Sequence, residues 1–377
     1  MSFRLETLIL LLACLALCVP MKGQTQAKPP YYEENISASN AIRTTQAHEL
    51  ESYIKHLKAD TSRLEALLKP NYASDKAFVA STKPFRLAFE QSIGYPPPGT
   101  PENESPLFQP MGEDSIAKYY RVQISVLPGI HAVGIYIVPK GLKGRAPLVI
   151  SMHGGGGSPE IALFHGGGNY HDMVRGAAKR GYVVFAPTHL FHAEGFPNDI
   201  RNSIDERMRL VGTSLTAVEI AKITRSLDVL LKRPEIDPKR VAMVGLSYGG
   251  YYTLVTTALE PRIKVAVSSC YYGVQEGRYE QSETGIPSDF RFNDRFTLFN
   301  DSELVALICP RPLEIQAGKN DAPSHREMGK RIAPKSAEFY QKLGKGDNFR
   351  FVIFDAGHDF WDATAWEWIG KHFGKGK

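Results

Sequence analysis

The sequence predicts an α/β protein with a mostly parallel central sheet covered by helices on both faces, preceded by a helical N-terminal extension. Three observations carry this reading. From residue 119 onward, short apolar runs alternate with segments of helical character. Those runs are continuously apolar, which suits strands buried on both faces of a sheet. Ahead of residue 115, apolar residues instead recur near helical spacing, with Lys and Glu between them.

Composition sets the frame. The chain has 377 residues, 43% hydrophobic and 23% charged, which excludes a disordered or collagen-like protein. At roughly 150 residues per domain the length permits two domains, or one large domain with an extension. The net charge of +5 is spread without a block of like sign. By itself it argues neither for nor against nucleic acid, and no nucleic-acid partner is expected. Four cysteines exclude a disulfide scaffold.

Residues 1–27 read as a leader. Arg4 precedes an apolar run over 8–19 that is short for a bilayer span, and Thr25-Gln26-Ala27 offers small residues for cleavage. A signal peptide removed near Ala27 is expected, giving a secreted or periplasmic chain with no integral membrane segment. The alternatives are a retained anchor and lipoprotein processing at Cys14, after Leu11-Leu12-Ala13. Cleavage near Ala27 removes Cys14 and Cys18 and leaves Cys270 and Cys309.

Residues 28–115 form the extension. A helix is expected over 41–68, ended by Pro70, and a shorter one over 84–93, stopped by Gly94 and Pro96-Pro97-Pro98. The stretch to Asp114 reads as a Pro- and Glu-rich loop. Residues 116–377 read as a single α/β domain, the expected seat of any catalytic site. Segments 120–127 and 133–139 flank Pro128-Gly129 as an antiparallel pair. Further strands are expected at 148–152, 182–186, 241–244, 264–269, 312–316 and 350–354. Helices are expected near 170–179, 214–231, 249–259, 330–343 and 361–373. Cys270 ends one strand and Cys309 precedes the next, so parallel strands hold them at opposite sheet edges, too far for a disulfide. Ligands of such sheets bind beyond the carboxyl ends of the strands.

The chemistry concentrates there. Gly245-Leu246-Ser247-Tyr248-Gly249-Gly250 lies between a strand and a helix. A Gly-x-Ser-x-Gly turn in that setting lifts the serine hydroxyl above the sheet edge, on a bend where a Cβ at the flanking positions would clash. Serine alone is a poor nucleophile and needs a base and an orienting acid. The order serine, acid, histidine is met by Asp321, after the strand at 312–316, and His358, after the strand at 350–354. Asp355 and Asp359 compete for the acid's place but adjoin the histidine too closely to face its ring. His153-Gly154-Gly155-Gly156-Gly157 follows a strand and suits an oxyanion loop, with the amides of Gly155, Gly156 and Tyr248 as donors. A second run, His165-Gly166-Gly167-Gly168, reads as a loop. His165, His171, His189 and His192 lack a tight ligand spacing and read as surface or pocket residues rather than a metal site. Tyr271, Tyr272, Phe290, Phe292, Phe296 and Phe299 cover a pocket or pack the core, and Trp361, Trp366 and Trp368 pack the last helix.

Together these motifs resemble the α/β-hydrolase superfamily, in particular its secreted acetyl xylan esterase-like and dienelactone hydrolase-like branch. The likeness spans roughly residues 80–374. Besides the elbow and the glycine loop it rests on Arg233-Pro234-Glu235-Ile236-Asp237-Pro238, Pro310-Arg311-Pro312, Gly357-His358-Asp359-Phe360, and Ser92-Ile93-Gly94-Tyr95-Pro96-Pro97. The resemblance implies the α/β-hydrolase fold and cofactor-free hydrolysis of carboxylic esters. The ester would be on a small molecule or a polysaccharide, with short acyl groups such as acetate. Two rivals stand beside it. Gly-x-Ser-Tyr-Gly-Gly also occurs in prolyl oligopeptidase-like peptidases, which usually carry a large β-propeller before the catalytic domain. A non-catalytic binding protein on the same scaffold is the other, although such proteins usually lose a member of the triad.

Overall fold

A computed structural model describes residues 31–33, 35–164, 168–197, 199–281 and 286–374. The expected leader, Cys14, Cys18, and His165 to Gly167 lie outside the described residues. No described helix is long and apolar enough to cross a membrane.

The chain divides into two compact units, Met1–Leu57 and Lys58–Lys377. The first carries most of helix α1 (Ile36–Ala59), which buries none of its residues. The helical pattern expected over 41–68 is broken. Helix α2 (Ser62–Leu67) starts anew, because Asp60 Oδ1 accepts the Ser62 amide at 2.9 Å and the Thr61 hydroxyl bonds Glu65 at 2.7 Å. Side chains of these types offer the backbone an alternative to a continuing helix.

In the second unit, α3 (Asp75–Ser81) and α4 (Lys83–Ile93) follow, with Ser74 capping α3 by accepting the Ala77 amide. Phe78, Phe85, Phe89 and Ile93 from these helices are buried in the main core. Helix α4 stops at Gly94, whose φ of +68° and closeness to Thr213 Cα, 2.6 Å from an ideal Cβ, leave no room for a side chain.

Then come strands β1 (Leu107–Glu113), β2 (Ala117–Leu127), β3 (Ile130–Pro139), β4 (Ala146–Met152) and β5 (Val183–Pro187). They are followed by β6 (Ile236–Leu246), β7 (Val265–Ser269), β8 (Leu313–Gly318) and β9 (Phe349–Phe354). They form one sheet in the order β1-β2-β3-β5-β4-β6-β7-β8-β9. Strands β1, β2, β3 and β5 pair antiparallel, and β5, β4 and β6 through β9 run parallel. The mostly parallel sheet was expected; strand β1 was not. Residues 107–113 read as loop because six of the seven are exposed, so no apolar period marks them, and because Pro110 discourages a strand. An edge strand tolerates both, and the register shifts between Pro110 and Gly112.

The continuous apolar runs are explained by where alternate side chains go. Leu148, Ile150 and Met152 of β4 face one core cluster and Val149 the other; Val241 and Met243 of β6 face the first, Ala242 and Val244 the second. Helices α8 (Leu215–Leu230), α9 (Tyr248–Leu259), α11 (Asp301–Ile308) and α12 (Pro323–Lys342) cover the first face. Helices α5 (Pro159–Phe164), α6 (Met173–Lys179) and α13 (Asp362–Phe373) cover the second. The remaining helices are α7 (Ile200–Leu210) and α10 (Gln275–Gln281). Trp366 and Trp368 are buried in the second cluster, as expected of packing residues. Cys270 and Cys309 are free and buried. Order reverses at β4 and β5, and the carboxyl ends of β4 and β6 flank the crevice this creates.

Phe89 is fully buried, its ring 5.5 Å from that of Phe292 and 5.4 Å from Phe299. Phe89→Ala should cost about 3–5 kcal/mol of unfolding free energy, measured by urea titration. A loss below ~1 kcal/mol would show that α4 is dispensable to the core.

Candidate active site

Strand β6 ends at Leu246 and α9 begins at Tyr248, so Ser247 makes the whole turn. It does so at φ 58° and ψ −116°, a conformation that costs a residue with a side chain about 1–3 kcal/mol. The surroundings enforce it. An ideal Cβ on Gly245 would sit 2.2 Å from Gly249 O, one on Gly249 would sit 2.2 Å from Met152 O, and one on Gly250 would sit 2.6 Å from Ser269 O. These neighbours are backbone and cannot swing aside. The Ser247 amide donates to Ser269 O at 2.8 Å, and Ser247 O accepts the Tyr251 amide at 3.0 Å.

A second close approach joins the acid and histidine loops. A Cβ on Gly318, at the end of β8, would lie 1.8 Å from Gly357 O. Lys319 N donates to Phe354 O, and Asn320 N to Ala356 O, at 2.8 and 2.9 Å. His358 Nδ1 consequently stands 2.9 Å from Asp321 Oδ1 and 3.0 Å from Oδ2. Asn169 donates to His358 O at 3.0 Å. The Ser269 hydroxyl donates to Asp359 O at 2.8 Å. Ser269 thus holds the serine turn with its carbonyl and the histidine loop with its hydroxyl. The competing carboxylates are engaged elsewhere: Asp359 with His171 at 2.9 Å, and exposed Asp355 toward Lys319 at 3.5 Å.

Asp321 carries more than one partner. It also accepts the Ala322 amide at 2.7 Å and His325 Nδ1 at 3.0 Å. Burial works to raise its carboxyl. The hydrogen bonds from His325 and His358, and the charges those rings can carry, outweigh that and hold it well below the usual carboxylate range. An ionised carboxylate only accepts, so both imidazoles present Nδ1–H to it, which leaves Nε2 as the nitrogen through which a neutral His358 ring would accept a proton. Burial, ahead of the opposing bond to Asp321, pushes His325 down to about 4, so it is neutral at pH 7. His325 was missed in the sequence. Its one signal is position: four residues after Asp321, in the first turn of α12.

The glycine loop approaches from β4. Gly154 N donates to the Tyr170 hydroxyl at 2.9 Å, and Gly157 N to Gly154 O at 3.2 Å. The turn between them leaves the amides of Gly155 and Gly156 without a partner among the described residues, as is the Tyr248 amide at the start of α9. Gly155 has no space for a side chain, since a Cβ would lie 2.7 Å from the Phe191 ring. Ser247, Tyr248, Gly155, Gly156 and His325 line one cavity of about 310 Å³, walled by Phe191, Tyr271 and Phe290.

Tyr248 is anchored from behind. Its hydroxyl donates to buried Asp289 at 2.7 Å, as does that of Tyr252 at 2.9 Å. Arg201 Nε lies 3.5 Å from the same carboxylate, and its guanidinium stacks 4.1 Å from the Phe191 ring centre. The histidines without a predicted role scatter. His189 is buried and stacked on His153 at 3.7 Å, where burial pushes His153 down to about 4 and His189 down as well. His171 pairs with Asp359, and His192 lines the cavity. Ligand atoms of Cys270, Asp321 and His358 fall within 4.8 Å of one another. Burial first and the Asp321 charge second raise the Cys270 thiol to about 12, so it stays protonated at neutral pH.

Against known proteins, the Dienelactone hydrolase family matches residues 149–363. The chain is 25% identical over 243 residues to YtaP of Bacillus subtilis (strain 168), a protein provisionally named a hydrolase, covering 60% of this chain and 78% of that one. It is 27% identical over 261 residues to YuxL, an uncharacterized peptidase of the same organism, covering 65% of this chain but 37% of that longer protein. Two solved structures each have a TM-score of 0.61. One, provisionally named an acetyl xylan esterase, is from Bacteroides fragilis; it is 17% identical and the match covers 76% of this chain and 79% of that one. The other, a glucuronoyl esterase from Solibacter usitatus, is 16% identical, with 82% of this chain and 97% of that one covered. At these identities the likeness establishes the fold, which is the α/β-hydrolase fold.

The shared carboxylate has a measurable consequence. An imidazole in the unfolded chain titrates near ~6.5, whereas folded His325 takes up its proton near about 4. Between those values the unfolded state holds the extra proton. The stability tied to His325 is therefore full above ~6.5 and is lost as pH falls toward 4. Between about pH 5 and 6, the slope of unfolding free energy against pH should be shallower in His325→Asn than in wild type by about one proton, ~1.4 kcal/mol per pH unit. Equal slopes by urea titration contradict a neutral, half-buried His325.

Proposed function

Because this chain belongs to the dienelactone hydrolase family, we propose that it cleaves carboxylic esters by a serine mechanism in which Ser247 is the nucleophile, His358 the general base and acid, and Asp321 the group that orients and stabilises the histidine. The observation that carries this reading is the 2.9 Å contact between His358 Nδ1 and the Asp321 carboxylate; the strained Ser247 turn lines the same cavity as His325, the second imidazole on that carboxylate.

In the proposed cycle His358 Nε2 takes the Ser247 proton as Oγ attacks the ester carbonyl. Asp321 holds the ring by Nδ1–H and favours its charged form. Negative charge moving onto the carbonyl oxygen meets the amides of Gly155, Gly156 and Tyr248, each such donor being worth about 3 kcal/mol at the transition state. Collapse expels the alcohol, which takes the proton from His358, and leaves an acyl group on Ser247. Water, deprotonated by the same histidine, then releases the acid. Asp289 supports this arrangement indirectly by fixing the Tyr248 side chain and with it the start of α9.

The substrates we assign to the site are esters of short acyl groups, acetate among them, on small molecules or carbohydrates. Export by the leader over 1–27 agrees with a polymeric substrate met outside the cell. The peptidase reading draws on the 27% identity to YuxL. Turnover of a chromogenic acetate ester against a prolyl peptide separates the two.

Ser247→Ala should lower kcat on 4-nitrophenyl acetate by at least about 10³-fold with an unchanged melting temperature. Retention of more than about a tenth of the wild-type rate excludes Ser247 as nucleophile. Among the three nearby carboxylates, Asp321→Asn should be the most damaging by at least about 10²-fold over Asp355→Asn and Asp359→Asn, because only its loss frees the Nδ1 side of the ring. If Asp359→Asn proves the worst, the acid has been misassigned.

A further inference from the structure

One charged side chain at the cavity has no part in the cycle above. Arg278, on α10, lines the same cavity as Ser247 and His325 and is 9% exposed. Its Nε is buried without a partner among the described residues. Its other contacts are long: Nη1 to Gln275 Oε1 at 3.4 Å and Nη2 to Ser324 O at 3.5 Å. The carboxylates whose charge reaches it are already committed. Asp301 pairs with Arg295 and accepts the Gln275 amide at 2.7 Å and Gly273 N at 3.0 Å. Asp321 serves His325, His358 and the Ala322 amide. What faces the guanidinium from the other side is the ring of Tyr271, 4.9 Å from its carbon, which does not cancel its charge.

A guanidinium stays protonated in a protein. A buried charge without a counter-charge is costly, and the cost is relieved when a ligand brings the opposite sign. The planar fork of donors matches a carboxylate better than any neutral group. The contact to Ser324 O sets Arg278 against the first turn of α12, a 20-residue helix whose N-terminal end adds positive potential.

We propose that the preferred esters of this site carry a free carboxylate near the scissile bond, on the acyl or the alcohol side, and that Arg278 binds it. This inference rests on the esterase reading of the site. It narrows the substrate from any short-chain ester to an anionic one, such as an ester on or beside a uronic acid unit. Arg278 is thereby a specificity residue and takes no part in the proton transfers.

Two isosteric pairs test it. Monomethyl succinate and methyl succinamate differ in one acyl-side charge, and 4-acetoxybenzoate and 4-acetoxybenzamide in one alcohol-side charge. Wild type should prefer the carboxylate member of one pair by about five-fold or more in kcat/KM, and that pair identifies the side. Arg278→Gln should remove most of that preference, bringing the kcat/KM ratio of the pair close to one, and Arg278→Lys should retain part of it. A wild-type preference below about five-fold in both pairs overturns the inference, as does an Arg278→Gln protein that loses both members of a pair equally. If wild type hydrolyses none of the four, the esterase reading fails separately. The anion site is then judged by calorimetric binding of monomethyl succinate. Binding lost in Arg278→Gln upholds it; absent or equal binding overturns it.

Discussion

The site depends on how closely three stretches of backbone approach one another beneath Ser247. The carbonyls of Met152, Gly249 and Ser269 stand where the side chains of residues 249, 245 and 250 would otherwise be. This crowding pushes the bend into the single residue between β6 and α9 and keeps Ser247 at a positive φ. The same crowding brings the glycine loop of β4 against the turn, since an ideal Cβ on Gly154 would lie 3.4 Å from Ser247 Cβ. In the proposed mechanism, nucleophile and amide donors are therefore held against each other by backbone contacts rather than by mobile side chains. That is the preorganisation that electrostatic stabilisation of an oxyanion requires.

The proposed acid and base, Asp321 and His358, are held by a separate device, the contact of Gly318 with Gly357 O, and Ser269 couples it to the first. Asp321 is buried and takes hydrogen bonds from two imidazoles and one amide, so its charge is satisfied without solvent. A carboxylate so placed remains ionised through the working pH range and keeps both rings in one tautomer. His325 is the less exposed of the two rings. Its Nδ1 contact at 3.0 Å occupies Asp321 Oδ2, which limits the freedom of that carboxylate.

Much of this was legible because the physics behind it is local. The elbow is marked by glycines whose absence of a Cβ is its cause, and Asp321 and His358 fall in loops that directly follow strands. The buried strands declared themselves because both faces are covered, leaving no polar alternation. Strand β1 did not, because six of its seven residues face solvent and a proline interrupts it. The break at Asp60-Thr61 was masked by apolar residues that continue the helical period while staying exposed in α1. His325, Arg278 and Asp289 were invisible for another reason. Arg278 and Asp289 acquire their meaning from burial and from partners far along the chain, and His325 from a helix register that brings it back onto Asp321, none of which a single sequence displays. Arg278, in particular, is one of many arginines until it is seen to have no carboxylate partner among the described residues.

The central claim is that Ser247, and no other residue, forms the covalent intermediate. Intact-mass analysis and peptide mapping after reaction with a fluorophosphonate test it directly. The account predicts one adduct per chain on the peptide containing Ser247, blocked by a prior excess of ester substrate and accompanied by complete loss of esterase activity. An unlabelled protein that retains esterase activity, or an adduct on a residue other than Ser247, would contradict it.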